Sequence, residues 1–271
     1  VDPHGSLIED VLPSIPKERV DDVIIFDPSD TERPMGLNML EYDVSRPEQQ
    51  SLIVDELLGI FNKLFDMKVT GGPAFEQYFR NAALLVMADP ASGNTLLDIA
   101  RVFGDNEFRS RKLAVCKNPI VKRFWEDIAE QATGEQGLQN YAPYVTSKFD
   151  SFTSNEFVRP IIAQQKSAFN FREIMDTKKI LLVNLAKGRL GERNANLLGL
   201  SLVGKLFMAA LARADNPRGE FPPFYLYIDE FQNITTDSIP GILSEARKYK
   251  LSLTVAHQFL AQVDEKIRDA V

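Results

Sequence analysis

The segment Phe224-Tyr225-Leu226-Tyr227-Ile228-Asp229-Glu230 sets an apolar run directly before two adjacent acids. The run reads as a buried strand, so its acids stand at the carboxyl end. Side chains alternate along a strand, and consecutive acids therefore point apart and can serve two tasks. That division suits phosphoryl transfer: Asp229 helps hold Mg²⁺, and Glu230 polarises the attacking water. The plainer reading has Asp229 capping the turn out of the strand. Taken alone, the segment leaves both open.

Other residues could join such a site. The apolar run Leu251-Ser252-Leu253-Thr254-Val255-Ala256 is followed by His257 and Gln258, and a polar residue there could sense the γ-phosphate or the attacking water. Just upstream, Arg247 and Lys248 close a predicted helix. There they either meet the helix dipole or, for Arg247, supply an arginine finger from near the nucleotide edge of the sheet to a neighbouring subunit. Asp2-Pro3 and Asp27-Pro28 both end short apolar segments, and an aspartate at a parallel strand's carboxyl end points into the ligand crevice. No Gly-x-x-x-x-Gly-Lys-[Ser/Thr] occurs in the chain. Gly71-Gly72 and Ser92-Gly93-Asn94-Thr95 lack the lysine that reaches the phosphates. Ala186-Lys187-Gly188-Arg189-Leu190-Gly191 fits neither that loop nor a dinucleotide fingerprint. Between Arg101 and Trp125 lies a basic cluster including Arg109, Arg111 and Lys112. It reads as a solvated helical face, or as phosphate contacts to DNA if it meets nucleic acid.

The elements that would position these groups fall into three stretches. Residues 1–44 carry a turn, a short helix and the strand Val23-Ile24-Ile25-Phe26. Residues 45–168 turn helical, with apolar residues at three- and four-residue steps from Leu52 to Phe65. Further helices are predicted over 73–88, 95–103, 119–131 and 142–149, with Asn94-Thr95 as an N-cap. No strand is predicted there. Residues 169–271 alternate strands over 179–185, 224–228 and 251–256 with helices over 194–214 and 239–249. That order implies a parallel sheet with right-handed crossovers. The fold class is α/β, a mainly parallel sheet interrupted by an all-α insertion.

Composition bounds the rest. Hydrophobic residues are 44% and charged residues 25% of 271, the profile of a soluble globular protein. No apolar run approaches bilayer length, and no signal peptide opens the chain. The net charge of -7 argues against a chain coated in nucleic-acid-binding surface, while leaving room for a local basic stripe. Cys116, the single cysteine, reads as core filler. Val1-Asp2-Pro3-His4-Gly5 reads as a strand end and a turn, and Val271 falls within an amphipathic stretch. The chain is expected to be cut from something longer.

Asp2-Pro3-His4-Gly5, the helical insertion, the strand ending in Asp229-Glu230, and Ala246-Arg247-Lys248 ahead of Gln258 together resemble the FtsK–HerA superfamily. Within it the likeness is to the type IV secretion and conjugation coupling proteins and their TraD/TraG-like relatives. The resemblance implies a RecA-like P-loop NTPase core whose Walker A loop would precede Val1. It implies Walker B roles for Asp229, the Mg²⁺ residue, and Glu230, the catalytic one, with Gln258 as sensor and Arg247 as finger. Asp2 and His4 would lie at the ATP site. It further implies ATP and Mg²⁺ as cofactors, single- or double-stranded DNA as cargo, and a homo-hexameric ring at the cytoplasmic face of the cell membrane. Secretion-channel and relaxosome proteins would be its partners. Two other readings stand beside this one. One is a HerA-like repair or plasmid-maintenance translocase, or a secretion-assembly ATPase; the other is a non-catalytic recognition module.

Overall fold

The computed structural model describes residues 1–67, 72–132, 138–216, 220–236, 245 and 247–257. The chain divides into two compact units, Val1–Met35 with Ala168–Val271, and Gly36–Ser167. The helical unit begins at Gly36, ahead of the expected boundary at 45, because the segment after Gly36 packs into it. Leu37, Met39 and Leu40 are buried, and the Asn38 amide donates to the carbonyls of Asn94 and Gln165 at 2.9 and 2.7 Å.

The first unit is built on short parallel strands: β1 (Val23–Phe26), β2 (Ile180–Val183), β3 (Phe224–Ile228) and β4 (Leu251–Val255). All four are runs of mainly β-branched, leucine or aromatic residues, which suit a pleated, packed surface. β1 pairs with β2 and β3 with β4, with Val23 opposite Ile180 and Phe224 opposite Leu251. Val1 and Asp2 join the two pairs. The Asp2 N–H donates to Val183 O at 2.8 Å and Asp2 O accepts from Leu185 N–H at 2.9 Å. On the other side, the Val1 amine donates to Tyr227 O at 2.6 Å, and Val1 O accepts from Asp229 N–H at 3.0 Å. The order across the sheet is therefore β1, β2, Val1–Asp2, β3, β4. A short helix α1 (Ser6–Val11) follows the central segment.

The regular structure of the second unit is all helical among its described residues. It comprises α2 (Gln49–Phe65), α3 (Gly72–Met87), α4 (Leu96–Gly104), α5 (Asn106–Val115), α6 (Pro119–Arg123), α7 (Leu138–Thr153) and α8 (Arg159–Ile162). A π-helical turn, Phe124–Ala129, continues α6. Thr95 caps α4 through a capping box with Asp98, two residue types that satisfy orphan N–H groups at a helix start. The core is aromatic, with the Phe61 ring 5.1 Å from Phe79 and 5.0 Å from Phe149. Cys116 is buried within this unit. The helix α5 escapes the sequence reading because its charged residues interrupt any apolar stripe.

Back in the sheet unit, α9 (Phe171–Asp176) leads into β2, and a one-turn helix α10 (Lys187–Leu190) leads into α11 (Glu192–Leu211). With its 3₁₀ extension to Asp215, α11 is long and apolar enough to cross a membrane, with a mean hydropathy of 1.7. This corrects the reading that no apolar run has that length. Its apolar window is 72% buried inside the protein, the pattern of a core helix covered by its neighbours. Gly199 brings α11 close to the sheet: a Cβ there would lie 2.6 Å from Ile234 Cγ2 and 2.9 Å from Leu185 Cδ1. Both partners flank the strand ends that carry the polar groups described below.

Gly199→Val is accordingly expected to destabilise the sheet unit by about 1–3 kcal/mol through overpacking. Gly188→Ala, where an added Cβ meets nothing within 4 Å, should change stability by less than about 0.5 kcal/mol. Chemical denaturation of both variants checks the contrast; equal effects would remove the argument from close packing.

Candidate functional site

Strand ends meet at the carboxyl edge of the sheet, where Asn184 knits the ends of β1 and β2 together. Its N–H donates to Phe26 O at 3.0 Å, its side-chain amide donates to Asp27 Oδ2 at 3.0 Å, and its Oδ1 accepts from Ala186 N–H at 2.9 Å. Gly5 packs against the same side chain. Its φ is +90°, and a Cβ there would fall 2.8 Å from Asn184 Oδ1, so both conformation and space require glycine. That is the physical reason for the last residue of Asp2-Pro3-His4-Gly5.

The aspartates of the two Asp-Pro pairs spend their carboxylate oxygens on hydrogen bonds within the sheet unit. Asp2 is 1% exposed. Its Oδ1 accepts from His4 N–H at 2.9 Å, and its Oδ2 from Leu7 and Ile8 N–H at 2.9 and 3.3 Å. It thus caps the start of α1, where a negative charge is favoured by the helix dipole. Asp27 Oδ1 likewise closes its own turn on Ser29 N–H at 2.8 Å. The expectation that Asp2 contacts a nucleotide is corrected: backbone N–H groups occupy both its oxygens.

His4, Lys187 and Glu230 are brought together from three strand ends, those of the central segment, β2 and β3. His4 Nε2 lies 3.2 Å from Glu230 Oε1. Lys187 Nζ donates to Glu230 Oε2 at 3.3 Å and lies 3.2 Å from Glu192 Oε1. Asn233 Nδ2 donates to Glu230 Oε2 at 3.1 Å. The Glu230 side chain is only 14% exposed, against 54% for His4. Burial by itself would raise the Glu230 carboxyl, but hydrogen bonds and charge from His4 and Lys187 outweigh it and hold the group below its ordinary value. Lys187 is shifted the other way. Burial would lower it, yet its bonds to Glu192 and Glu230 keep the ammonium above the usual lysine value.

Asp229 and Glu230 do part company, but a turn does it and not strand alternation. Glu230 sits in the left-handed region, φ 46° and ψ 44°, an uncommon conformation for a residue with a Cβ. Asp229 Oδ1 stabilises it by accepting Glu230 N–H at 2.9 Å, and Phe231 N–H ties the turn to Ala256 O of the neighbouring chain segment at 3.0 Å. The capping role for Asp229 is therefore real. Its Oδ2 accepts no hydrogen bond among the described residues. No group of three or more metal-ligating side chains occurs among the described residues. A magnesium ion held by one carboxylate plus substrate phosphates needs no such cage, and Asp229 fits that donor set.

The remaining predicted residues are placed elsewhere. Gln258 lies outside the described residues, as does most of the helix expected over 239–249. Arg247 is exposed in a 3₁₀ turn, Arg247–Tyr249, at the amino end of β4. Since β3 and β4 run parallel, Arg247 stands at the opposite edge of the sheet from Glu230, not near the nucleotide edge as expected.

In the helical unit the basic cluster does not form one surface. Arg109 is 5% exposed and donates to Glu130, Val102 O and Asn106 Oδ1 at 3.0, 2.9 and 2.7 Å. Lys112 is fully buried, with Nζ donating to the carbonyls of Val86, Asp89 and Gly93 at 2.7, 2.5 and 2.5 Å. Only Arg111 of the three faces solvent, paired with Glu107 at 2.7 Å. The reading of Arg109 and Lys112 as DNA contacts is corrected, because carbonyls and side chains of their own unit enclose both cations. Sequence reasoning missed Lys187, Asn184 and Asn233. The signal for Lys187 was present in the glycine-rich turn after a strand, but no motif marked its lysine.

A parallel sheet with polar groups gathered at its carboxyl edge, and an all-helical unit set within the chain, make an α/β fold. Solved structures share it along all or most of the chain. The bacterial conjugative coupling protein TrwBdeltaN70, in its unbound monoclinic form, is 15% identical, with a TM-score of 0.57 over 100% of this chain and 57% of that one. The plasmid coupling protein TrwB in complex with ADP and Mg²⁺ is 15% identical, with a TM-score of 0.58 over 100% of this chain and 59% of that one. TrwB with the non-hydrolysable GTP analogue GDPNP is 14% identical, with a TM-score of 0.55 over 92% and 56%. The present chain thus spans less than three fifths of the length of these structures. No family model matches the sequence, and comparison with curated proteins returns no match.

The buried cation makes a sharp contrast with its neighbour. Lys112→Met should destabilise the helical unit by about 2–3 kcal/mol, since it strands buried carbonyls, whereas Arg111→Ala should stay within about 0.5 kcal/mol. Burial lowers Lys112 from 10.5 to about 8. The unfolded chain then binds the extra proton between those values, so wild-type stability should rise relative to Lys112→Met from about pH 8 to 10.5. Melting curves across that range check both the size and the sign.

Proposed function

We propose that this chain is part of an ATP-driven coupling ATPase that moves DNA through a ring oligomer during conjugation or a related secretion process. The observation that carries the reading is Glu230, held beside His4 and Lys187 at the carboxyl edge of a RecA-like sheet. That edge is where open α/β sheets take their ligands. The likeness of the whole chain to coupling-protein structures, one of them with ADP and Mg²⁺, supports the same reading for the fold.

Magnesium, when bound, would neutralise charge on the phosphates. Asp229 would hold that ion through its uncommitted oxygen. Glu230, ionised, would orient and polarise the attacking water. Arg247, at the far edge of its own sheet, could serve only a neighbour's nucleotide, so a ring is part of the proposal. DNA would be gripped through phosphate contacts without base readout. The protein would work as a hexamer at the inner face of the cell membrane, with secretion-channel and relaxosome partners.

In the full-length protein, Glu230→Gln should keep ATP binding and lose turnover by about 10²–10⁴-fold. Steady-state hydrolysis and nucleotide titration read the two separately; wild-type turnover would sink the assignment. Arg247→Ala should likewise bind nucleotide but lose hydrolysis, by up to roughly 10³–10⁵-fold. Mixing Arg247→Ala with Glu230→Gln subunits should restore some activity, because a fraction of interfaces then pairs both intact residues. Mixed rings without recovery would return Arg247 to a surface cation.

A further inference from the structure

We propose that Arg213 is a positioning residue for Arg247: from inside the sheet unit it fixes the turn that presents Arg247 to a neighbouring subunit. The inference rests on the reading of Arg247 as an arginine finger and adds a buried cation that no motif marks.

Three observations carry it. First, Arg213 is enclosed. It lies in the 3₁₀ extension of α11 (Ala212–Asp215), and its side chain is 0% exposed. A cation so placed needs compensating partners. Second, those partners come from three other parts of the unit. At the end of α9, Asp176 Oδ1 accepts from Nε at 3.0 Å and lies 2.9 Å from Nη2. Before β3, Pro222 O accepts from Nη1 at 3.1 Å; before β4, Tyr249 O accepts from the same nitrogen at 2.8 Å. Third, Tyr249 closes the 3₁₀ turn that begins at Arg247. Arg247 O accepts from Lys250 N–H at 3.2 Å, and Lys250 O accepts from Phe224 N–H at 2.8 Å. Tyr249 O falls between these two in the chain, and Arg213 supplies its hydrogen bond. A side chain fixed in the interior thus ties down the turn from which Arg247 stands exposed.

Arginine suits this role because its planar fork presents N–H groups in fixed directions. Nε and Nη2 face Asp176 while Nη1 reaches both carbonyls. A lysine carries one ammonium on a flexible stem and cannot span the same partners at once. Asp176 is seated in turn by Arg172, whose Nε donates to its Oδ2. Both guanidinium groups lie over the Phe221 ring, at 4.9 Å for Arg172 and 5.2 Å for Arg213. The network therefore joins α9, the end of α11 and the segment before β3, and it ends on the Arg247 turn. The Tyr249 hydroxyl also donates, to Glu245 Oε2 at 3.3 Å, but that bond joins neighbours in sequence and gives no tie to the interior. A firm mount matters for a finger. Its charge must be in place before the transition state forms, and a small misplacement is costly in rate.

The test uses the full-length protein with Arg213→Lys and the milder Asp176→Asn, which removes the charge that seats the guanidinium. Arg213→Lys should lower kcat by about 10–10²-fold while KM for ATP changes little, and Asp176→Asn should lower it in the same way but less. Added to Arg247→Ala, either change should take nothing further from the rate, because both act through that one side chain. Mixed with Glu230→Gln subunits, Arg213→Lys should give more activity than the two sum to separately, since its own Glu230 is intact. A nitroxide on Lys248→Cys, an exposed position of the same turn, should gain mobility in both variants when read by electron paramagnetic resonance without nucleotide. Unchanged kcat or unchanged label mobility in variants that melt cooperatively would overturn the proposal. So would additive losses, no gain on mixing, or loss of cooperative melting in both variants, any of which would make Arg213 a general strut of the sheet unit. Should Arg247→Ala itself keep full hydrolysis, the finger reading fails; the label would still report separately whether Arg213 holds the turn.

Discussion

The ladder made by Val1 and Asp2 is the constraint on which the site depends. β1 with β2 and β3 with β4 are separate pairs until this segment hydrogen-bonds to Val183 and Leu185 on one side and to Tyr227 and Asp229 on the other. The Val1–Asp2 segment therefore sets the spacing between β2 and β3. It also sets which strand ends are neighbours. Lys187 and Glu230 lie 43 residues apart in sequence, and His4 and Glu230 lie 226 apart. They meet because parallel strands deliver their carboxyl ends to one edge, and because the central strand end supplies both the histidine and the carbonyl that anchors Lys187.

Electrostatics at that edge follows from unequal exposure. A carboxylate buried without partners would prefer to be neutral, and one in open water would need no help to ionise. Glu230 lies between these limits, mostly buried yet met by a lysine, an imidazole and an amide. A left-handed turn carries it. Asp229 holds the turn through its own neighbour's N–H, so one acid orients the backbone of the other. Two acids that look equivalent in a row thus differ in task. Among the described residues Asp229 retains an oxygen free of hydrogen bonds, and Glu230 sits inside a polar cluster.

The helical unit uses charge in the opposite sense. Lys112 and Arg109 enter its interior, where each donor finds a carbonyl or side-chain acceptor. Such groups hold loops against helices because leaving any one acceptor unpaired is costly. Lys112 joins the end of α3 and the two turns after it, and Arg109 joins the end of α4 to Asn106 and Glu130. These cations build structure, and their concentration in the sequence carries no information about which surface meets a polyanion.

Periodicity and strand composition were legible without coordinates. The strands at 23–26 and 224–228 fall where their apolar runs place them, and the capping signal at Thr95 marks a real helix start. The acid pair after Ile228 is likewise a local feature, set by a strand end, whereas the glycine after His4 answers both a left-handed turn and the distant Asn184 side chain. What sequence could not supply depends on neighbours far along the chain. Whether Asp2 faces a ligand or α1, whether Lys112 meets solvent or three carbonyls, and whether Arg247 shares an edge with Glu230 are matters of burial and strand direction. The same limit hid Lys187: a lysine in a glycine-rich turn has no special chemistry until the fold sets a buried carboxylate 3.3 Å away.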